Sequence, residues 1–358
     1  MPTTSTSKSS AGKKATAKID FKPKSIVDKL LTTLPERSRI VLESRFGLGK
    51  THKRQTLESI GQRYGITRER VRQIENHALA AVRKSPDFSE ATAAFDALER
   101  IIEGLGGVIC EDDLLEFITP DEEMQNNIYF LLVLGDPFKY EKEDDELRRC
   151  WYADPRLAEE VRAALKRLYD GLDDDMLIPE SEMIDRFLKE VGHLNEKYRD
   201  EEVLKRWLAL SKKIGKNPLG EWGPAQSPNV RTKGIRDFAY LAVKRHGSPL
   251  HFTEVAKMIE KLFNRRAHVA TTHNELIKDD RFVLVGRGMY ALKEWGYTAG
   301  VVRDVICGIL EEHGPMARDE IIAAVLKERH VKPGTIAINL QNKKYFKRQK
   351  DGRWALAD

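Results

Sequence analysis

Thr56-Leu57-Glu58-Ser59-Ile60-Gly61-Gln62-Arg63-Tyr64-Gly65-Ile66-Thr67-Arg68-Glu69-Arg70-Val71-Arg72-Gln73-Ile74-Glu75 is the stretch that decides the fold of the N-terminal part of this chain. Thr56 is placed to cap a short helix through Tyr64, on which Leu57, Ile60 and Tyr64 share a face. Gly65 ends that helix. Thr67 is placed to cap the next, which runs to about Lys84 with Val71, Ile74, Ala78, Leu79 and Val82 along its apolar side. A short helix, a glycine turn and a longer helix form the helix-turn-helix pattern. Upstream, Pro35 suits a first helical turn, Ile40, Val41, Leu42 and Phe46 give the next helix its apolar face, and Gly47 and Gly49 stop it before the polar loop Lys50–Arg54.

The opposite face of the longer helix carries Glu69, Gln73, Asn76 and His77, flanked by Arg70 and Arg72. Gln and Asn pair bidentately with adenine, Glu accepts from cytosine, and Arg reaches guanine or the backbone, so these side chains suit base edges and phosphates. A solvated helix face is the alternative reading of the same stripe. Lys53 and Arg54, in the preceding loop, are candidate phosphate contacts.

Four blocks carry a family resemblance: Leu34-Pro35-Glu36-Arg37-Ser38-Arg39-Ile40-Val41-Leu42, Arg45-Phe46-Gly47-Leu48, Thr56-Leu57-Glu58-Ser59-Ile60-Gly61 and Thr67-Arg68-Glu69-Arg70-Val71-Arg72-Gln73-Ile74-Glu75. In this order and spacing they resemble the C-terminal promoter-reading domain, region 4, of sigma-70 type sigma factors. The resemblance implies a domain that reads the upstream promoter hexamer and docks on the RNA polymerase flap. It implies Arg68, Glu69 and Gln73 as base-contacting residues, with Arg70 and Arg72 nearer the backbone. No stretch resembles the family's aromatic-rich promoter-melting domain.

Charge is distributed in three blocks. Residues 1–88 hold 19 Lys/Arg against 8 Asp/Glu (+11), residues 89–230 hold 18 against 33 (−15), and residues 231–358 hold 24 against 15 (+9). Basic ends suit phosphate, whereas an acidic block repels DNA and suits a basic protein surface. Residues 1–24, with six lysines, one acid and a single aromatic, are expected to be a disordered basic tail.

Beyond residue 88 the chain repeats. Trp151, Trp222, Tyr290 and Trp354 are 71, 68 and 64 residues apart, each near the end of a unit that opens with helices. Gly288-Met289-Tyr290-Ala291-Leu292 is echoed by Gly352-Arg353-Trp354-Ala355-Leu356, each after a β-prone run and a turn, which reads as a hairpin behind short helices, a winged helix. Six segments follow: the tail 1–24, the helix-turn-helix 25–88, an acidic winged-helix-like module 89–155, a helical module 156–230 whose hairpin is not evident, a winged helix 231–297 and a winged-helix-like module 298–358. In the last, Lys343, Lys344, Lys347 and Arg348 cluster at the expected wing, where phosphate contact and simple solvation both fit. Residues 231–297 resemble the HARE-HTH domain of the RNA polymerase delta subunit, through Pro249-Leu250-His251-Phe252-Thr253-Glu254-Val255-Ala256 and Thr272-His273-Asn274-Glu275-Leu276-Ile277.

Catalytic chemistry and cofactors are not expected. Gly47-Leu48-Gly49-Lys50-Thr51 fails as a phosphate-binding loop because the first glycine of that motif would fall at Ser44, in a helical segment. Cys110, Cys150 and Cys307 have no zinc-site spacing, and paired acids read as solvated loops rather than metal ligands. The longest apolar run, Ile128–Leu134, is too short to span a membrane, and no secretory signal is visible. The expected protein is mainly α, a helix-turn-helix followed by tandem winged-helix-like modules with short β-hairpin wings. Its expected partners are double-stranded promoter-type DNA and the RNA polymerase core, with no membrane and no small-molecule substrate. The families imply a bacterial cytoplasm. An accessory or sigma-competing subunit that docks on polymerase without its own sequence preference is the alternative, and a targeting protein for a DNA-acting enzyme is a third.

Overall fold

The computed structural model describes residues 19–50, 52–297, 301–329 and 331–357. The expected basic tail lies outside the described residues as far as residue 18, and α1 (Pro23–Thr32) starts within the segment expected to be tail. The protein is mainly α, with sixteen α-helices and ten short strands among the described residues. None of these helices is long and apolar enough to cross a membrane. Packing divides the chain into two compact units, residues up to 172 with 180–215, and residues 173–179 with 216 onward.

The first unit opens with α1, α2 (Glu36–Phe46), α3 (Leu57–Tyr64) and α4 (Arg68–Arg83). It continues with α5 (Thr92–Gly104), β1 (Val108–Cys110), α6 (Glu111–Ile118), α7 (Glu122–Leu134), β2 (Lys139–Glu141) and β3 (Cys150–Tyr152). The strands form an antiparallel sheet in the order β1-β3-β2, in which Trp151 faces Ile109 on one side and Tyr140 on the other. Helix, strand, two helices and a hairpin make the expected winged helix. Its first strand, three residues long, carries too little periodicity to be read in sequence.

Packing runs across the boundary expected at residue 88. Val27, Leu30 and Leu31 of α1, Leu42 and Phe46 of α2, and Ala78 and Val82 of α4 share a single buried cluster with Phe95, Leu98, Ile128, Phe130, Leu131 and Trp151. The cause is α7, whose Ile128–Leu134 run is apolar on nearly every side and is therefore buried all round. The third helix of this winged helix packs on α1 and α2 instead of facing solvent.

The first unit also holds α8 (Pro155–Asp170), α9 (Glu180–Val191) and α10 (Glu201–Leu210). The division between units falls inside 156–230, so packing does not follow that expected module either. Strands β4 (Ile214–Lys216) and β5 (Trp222–Pro224) occur where no hairpin was evident. The acidic loop between β2 and β3 is also less free than its composition suggests. Arg162 of α8 pairs with Glu141, Asp144 and Glu146, and Lys212 pairs with Glu143 at 2.9 Å.

In the second unit, α11 (Ile235–His246), β6 (Leu250–His251), α12 (Phe252–Phe263), α13 (Val269–Lys278), β7 (Phe282–Gly286) and β8 (Met289–Leu292) repeat the winged-helix order, with sheet order β6-β8-β7. Helices α14 (Val302–His313), α15 (Arg318–Glu328) and α16 (Pro333–Leu340) precede the hairpin β9 (Phe346–Arg348) and β10 (Trp354–Leu356), around a core of Val305, Ile306, Ile321, Val325, Ile336 and Phe346. The four repeat aromatics occupy one equivalent place. Each lies opposite a residue between the first two helices of its repeat: Trp151 opposite Ile109, Trp222 opposite Ile178, Tyr290 opposite Leu250, and Trp354 opposite Met316.

Candidate nucleic-acid interface

The hydroxyl of Thr56 accepts from the Ser59 backbone N–H at 3.1 Å, and that of Thr67 accepts from the Arg70 N–H at 3.2 Å, so both helices start where the sequence places their caps. Gly65 ends α3 in the left-handed region at φ 64°. Gly61 permits the close approach of α3 to the turn, since a Cβ there would lie 2.6 Å from the Ile66 carbonyl oxygen. Val41, Ile60, Val71 and Ile74 then pack together, with Leu57 and Ile66 against them. The turn geometry and this small core fix α4 against α3.

With Val71, Ile74, Ala78 and Val82 buried, the rest of α4 is turned outward. Arg68, Glu69, Arg70, Arg72, Gln73, Asn76 and His77 are all exposed, as is the capping Thr67. Two pairs preorganise this face. Arg72 donates to Glu69 at 2.7 and 2.9 Å, and Arg70 donates to Gln73 at 3.1 Å. The hydrogen bond from Arg72 holds the Glu69 carboxyl below the ordinary carboxylate range. Glu75, on the flank, is engaged elsewhere: Arg45 of α2 reaches it at 3.3 Å and donates to the Gln55 carbonyl at 3.1 Å.

The loop before α3 is clamped by α7. The buried Asn126 side-chain amide donates to the Gly47 and His52 carbonyls, and its oxygen accepts from Arg54 Nε at 2.7 Å. The Arg54 guanidinium also lies 3.9 Å from the centre of the Tyr129 ring and 3.8 Å from Glu111. Its burial lowers its pKa from the ordinary arginine value. Lys53 beside it is exposed. Both loop candidates are exposed, and Arg54 also serves the clamp. At the far end of α4, Arg83 donates to the Leu134 and Val133 carbonyls at 3.1 and 2.8 Å, satisfying the open end of α7. Neither the Asn126 clamp nor this capping is signalled locally, because each joins residues at least 50 positions apart.

Lys343, Lys344, Lys347 and Arg348 lie in the second unit, at the end of α16 and in the β9–β10 wing, and all four are exposed. Among the described residues no group of three or more His, Cys, Asp or Glu side chains is arranged to hold a metal ion.

These elements make residues from α1 to α4 a helix-turn-helix domain with an exposed polar face on α4. Residues 30–84 match the family described as sigma-70, region 4, and this segment is a sigma-70 region 4 domain. It is similar to RNA polymerase sigma factor RpoD of Helicobacter pylori, with 43% identity over 65 residues, 18% of this chain and 10% of that protein. RNA polymerase sigma factor SigA of a Bacillus species is 49% identical over 57 residues, 16% of this chain and 15% of that protein. RNA polymerase principal sigma factor HrdD of Streptomyces viridifaciens is 40% identical over 58 residues, 16% of this chain and 17% of that protein. The chain thus spans between a tenth and about a sixth of the length of these relatives.

Proposed function

We propose that this protein is a sequence-reading transcription regulator that binds promoter-type duplex DNA through α4 and engages the RNA polymerase core at initiation. The observation that carries the reading is the exposed face of α4, in a segment that is a sigma-70 region 4 domain. Arg68, Glu69, Gln73 and Asn76 take base edges in the major groove, while Arg70, Arg72, His77 and Lys53 take the backbone. The role is positional rather than catalytic, and its site is the bacterial cytoplasm, where sigma factors act. Residues 231–297 serve as a HARE-HTH type module beside polymerase or DNA, a role supported by their winged-helix order. The modules at 89–155 and 298–358 are winged-helix-like, and 156–230 is a helical segment.

Selection from a randomised duplex pool with the full chain, with and without core RNA polymerase, tests this reading. One enriched motif without polymerase is the expected result. Enrichment only with polymerase would make the protein a sigma-like accessory subunit. No enrichment, with polymerase still bound, would replace DNA reading by docking.

A further inference from the structure

The four winged-helix repeats differ in what their third helix and wing present. In the first, α7 is buried against α1 and α2, and the wing is acidic and tied to Arg162 and Lys212. In the second, α10 opens with Glu201 and Glu202. In the third, α13 exposes Thr271, Asn274, Ile277 and Lys278, and the β7–β8 turn carries Arg287 as its one charge, so the basic cluster is what sets the fourth apart. The fourth is different. Residues 332–353, which cover α16 and its wing, hold seven Lys/Arg and one acid, Asp351.

Helix α16 itself has no charged side chain. Ile336 and Leu340 are buried, whereas Thr335 and Ile338, three apart on the helix, face solvent, as do Gln341 and Asn342 just past its end. Ile338 is 70% exposed, the most exposed large apolar side chain among the described residues. An uncharged helix face of Thr335 and Ile338, followed at the helix end by Gln341 and Asn342 and bordered by lysines, is a composition that fits a major groove. Asn and Gln pair with adenine, an aliphatic side chain meets the thymine methyl, and the lysines take phosphates. Protein interfaces instead enrich aromatic residues and deplete lysine. Single strands call for exposed rings on which bases stack, and Tyr345, five residues past α16, is half-buried with Arg303 4.5 Å over its face.

We propose that the C-terminal module is a second duplex-DNA-reading head, with α16 in the major groove and Lys343, Lys344, Lys347 and Arg348 on the backbone. The proposal rests on the DNA-binding reading above for its class of ligand, and it uses a surface separate from α4. Two full-length variants test it, Ile338→Glu and the combined Lys343→Gln, Lys344→Gln, Lys347→Gln and Arg348→Gln. All five positions are exposed, so the thermal melt of each variant should match that of the parent. Anisotropy titrations with a labelled mixed-sequence duplex are then run across salt concentrations.

The charge variant should lower the slope of log affinity against log salt by about 3.6, at about 0.9 for each of its four phosphate contacts. Ile338→Glu should weaken duplex binding about tenfold, through loss of apolar groove contact and repulsion by phosphate. Unchanged affinity and slope in both variants would overturn the proposal. So would intact duplex binding with loss of polymerase binding or of self-association, which would make α16 a protein-docking surface. Arg68→Ala with Gln73→Ala, measured in parallel, separates the two heads. If sequence preference survives that change while the C-terminal variants lose affinity, the α4 reading fails and this one stands.

Discussion

The side-chain amide of Asn126 donates to the carbonyl of Gly47, 79 residues earlier, at 3.2 Å in a buried setting. The same amide reaches the His52 carbonyl at 2.7 Å, so one side chain of α7 satisfies two carbonyls of the loop that leads into the helix-turn-helix. Gly47 is held at φ 69°, and a Cβ there would meet this amide at 2.7 Å. The loop is therefore shaped by the winged helix as much as by its own sequence.

Asn126→Ala should destabilise the first unit by about 1 to 3 kcal/mol, because it leaves the buried Gly47 carbonyl and the part-buried His52 carbonyl without their donor. Urea unfolding followed by circular dichroism reads this directly. A change below about 0.5 kcal/mol, the range of ordinary surface substitutions, would show that water replaces the amide without loss.

A fragment ending at residue 88 should lose the cooperative melt that the full chain shows. Val27, Leu30, Leu31, Phe46 and Val82 pack in the cluster that α7 completes, and each large apolar side chain returned to water costs about 1.5 to 3 kcal/mol. Calorimetry of the fragment beside the full chain is the check. A sharp transition at the parent temperature would mean that α1–α4 are self-sufficient.

The helix-turn-helix was legible because its determinants are local: Thr56 and Thr67 cap, Gly65 turns, and the buried positions recur with helical period. The equivalent placing of four aromatics was legible for a related reason. Trp151, Trp222, Tyr290 and Trp354 mark one place in each repeat, opposite a residue that follows the first helix. What escaped the sequence depends on distant partners. Arg54 looks like a loop cation suited to phosphate, and its second task, holding the loop against Asn126 and Tyr129, depends on residues more than 70 positions on. The apolar run in α7 announced a buried helix, yet periodicity does not say that the surface covering it belongs to α1 and α2.

On α4, Glu69→Ala and Gln73→Ala should relax sequence preference with little change in salt slope, while Arg72→Ala should weaken all duplexes and reduce the slope by about 1. The Glu69–Arg72 pair adds a condition: Glu69→Ala releases a guanidinium, so its affinity for mixed sequence should hold or rise. Pool selection and salt titration on each variant distinguish these roles. The reverse pattern would exchange the assignments of Glu69 and Arg72.

Cys110 and Cys150 are direct partners across the β1–β3 ladder, both buried and both free thiols. Burial pushes the Cys150 thiol up to about 12 and raises that of Cys110, so little thiolate is present near neutral pH. Iodoacetamide should label half-buried Cys307 first, and Cys110 and Cys150 only as the first unit unfolds. Mass spectrometry of the labelled peptides along a urea series would show it. Equal labelling of all three in native buffer would mean that the β1–β3 sheet opens readily.

The acidic wing yields a pH prediction. Hydrogen bonds from the Leu147 backbone, then from Arg162 and the Glu146 backbone, hold Asp144 at about 2, against an ordinary value of 3.8, even though burial acts in the opposite direction. A carboxyl whose folded pKa is depressed stabilises the fold above its unfolded value, and that contribution is lost as pH falls through the folded one. The contribution of Asp144 should therefore be complete above about pH 4 and fade towards pH 2. Arg162→Ala removes the shared cation of Glu141, Asp144 and Glu146, leaving three like charges without their common partner. Asp144 should then titrate closer to 3.8 while keeping some depression from its backbone donors. The acid limb of the unfolding curve should move to higher pH, most clearly at low salt. Carboxyl-carbon NMR titration of parent and variant settles the assignment, and an unmoved Asp144 would place the depression wholly in the turn geometry of residues 144–147.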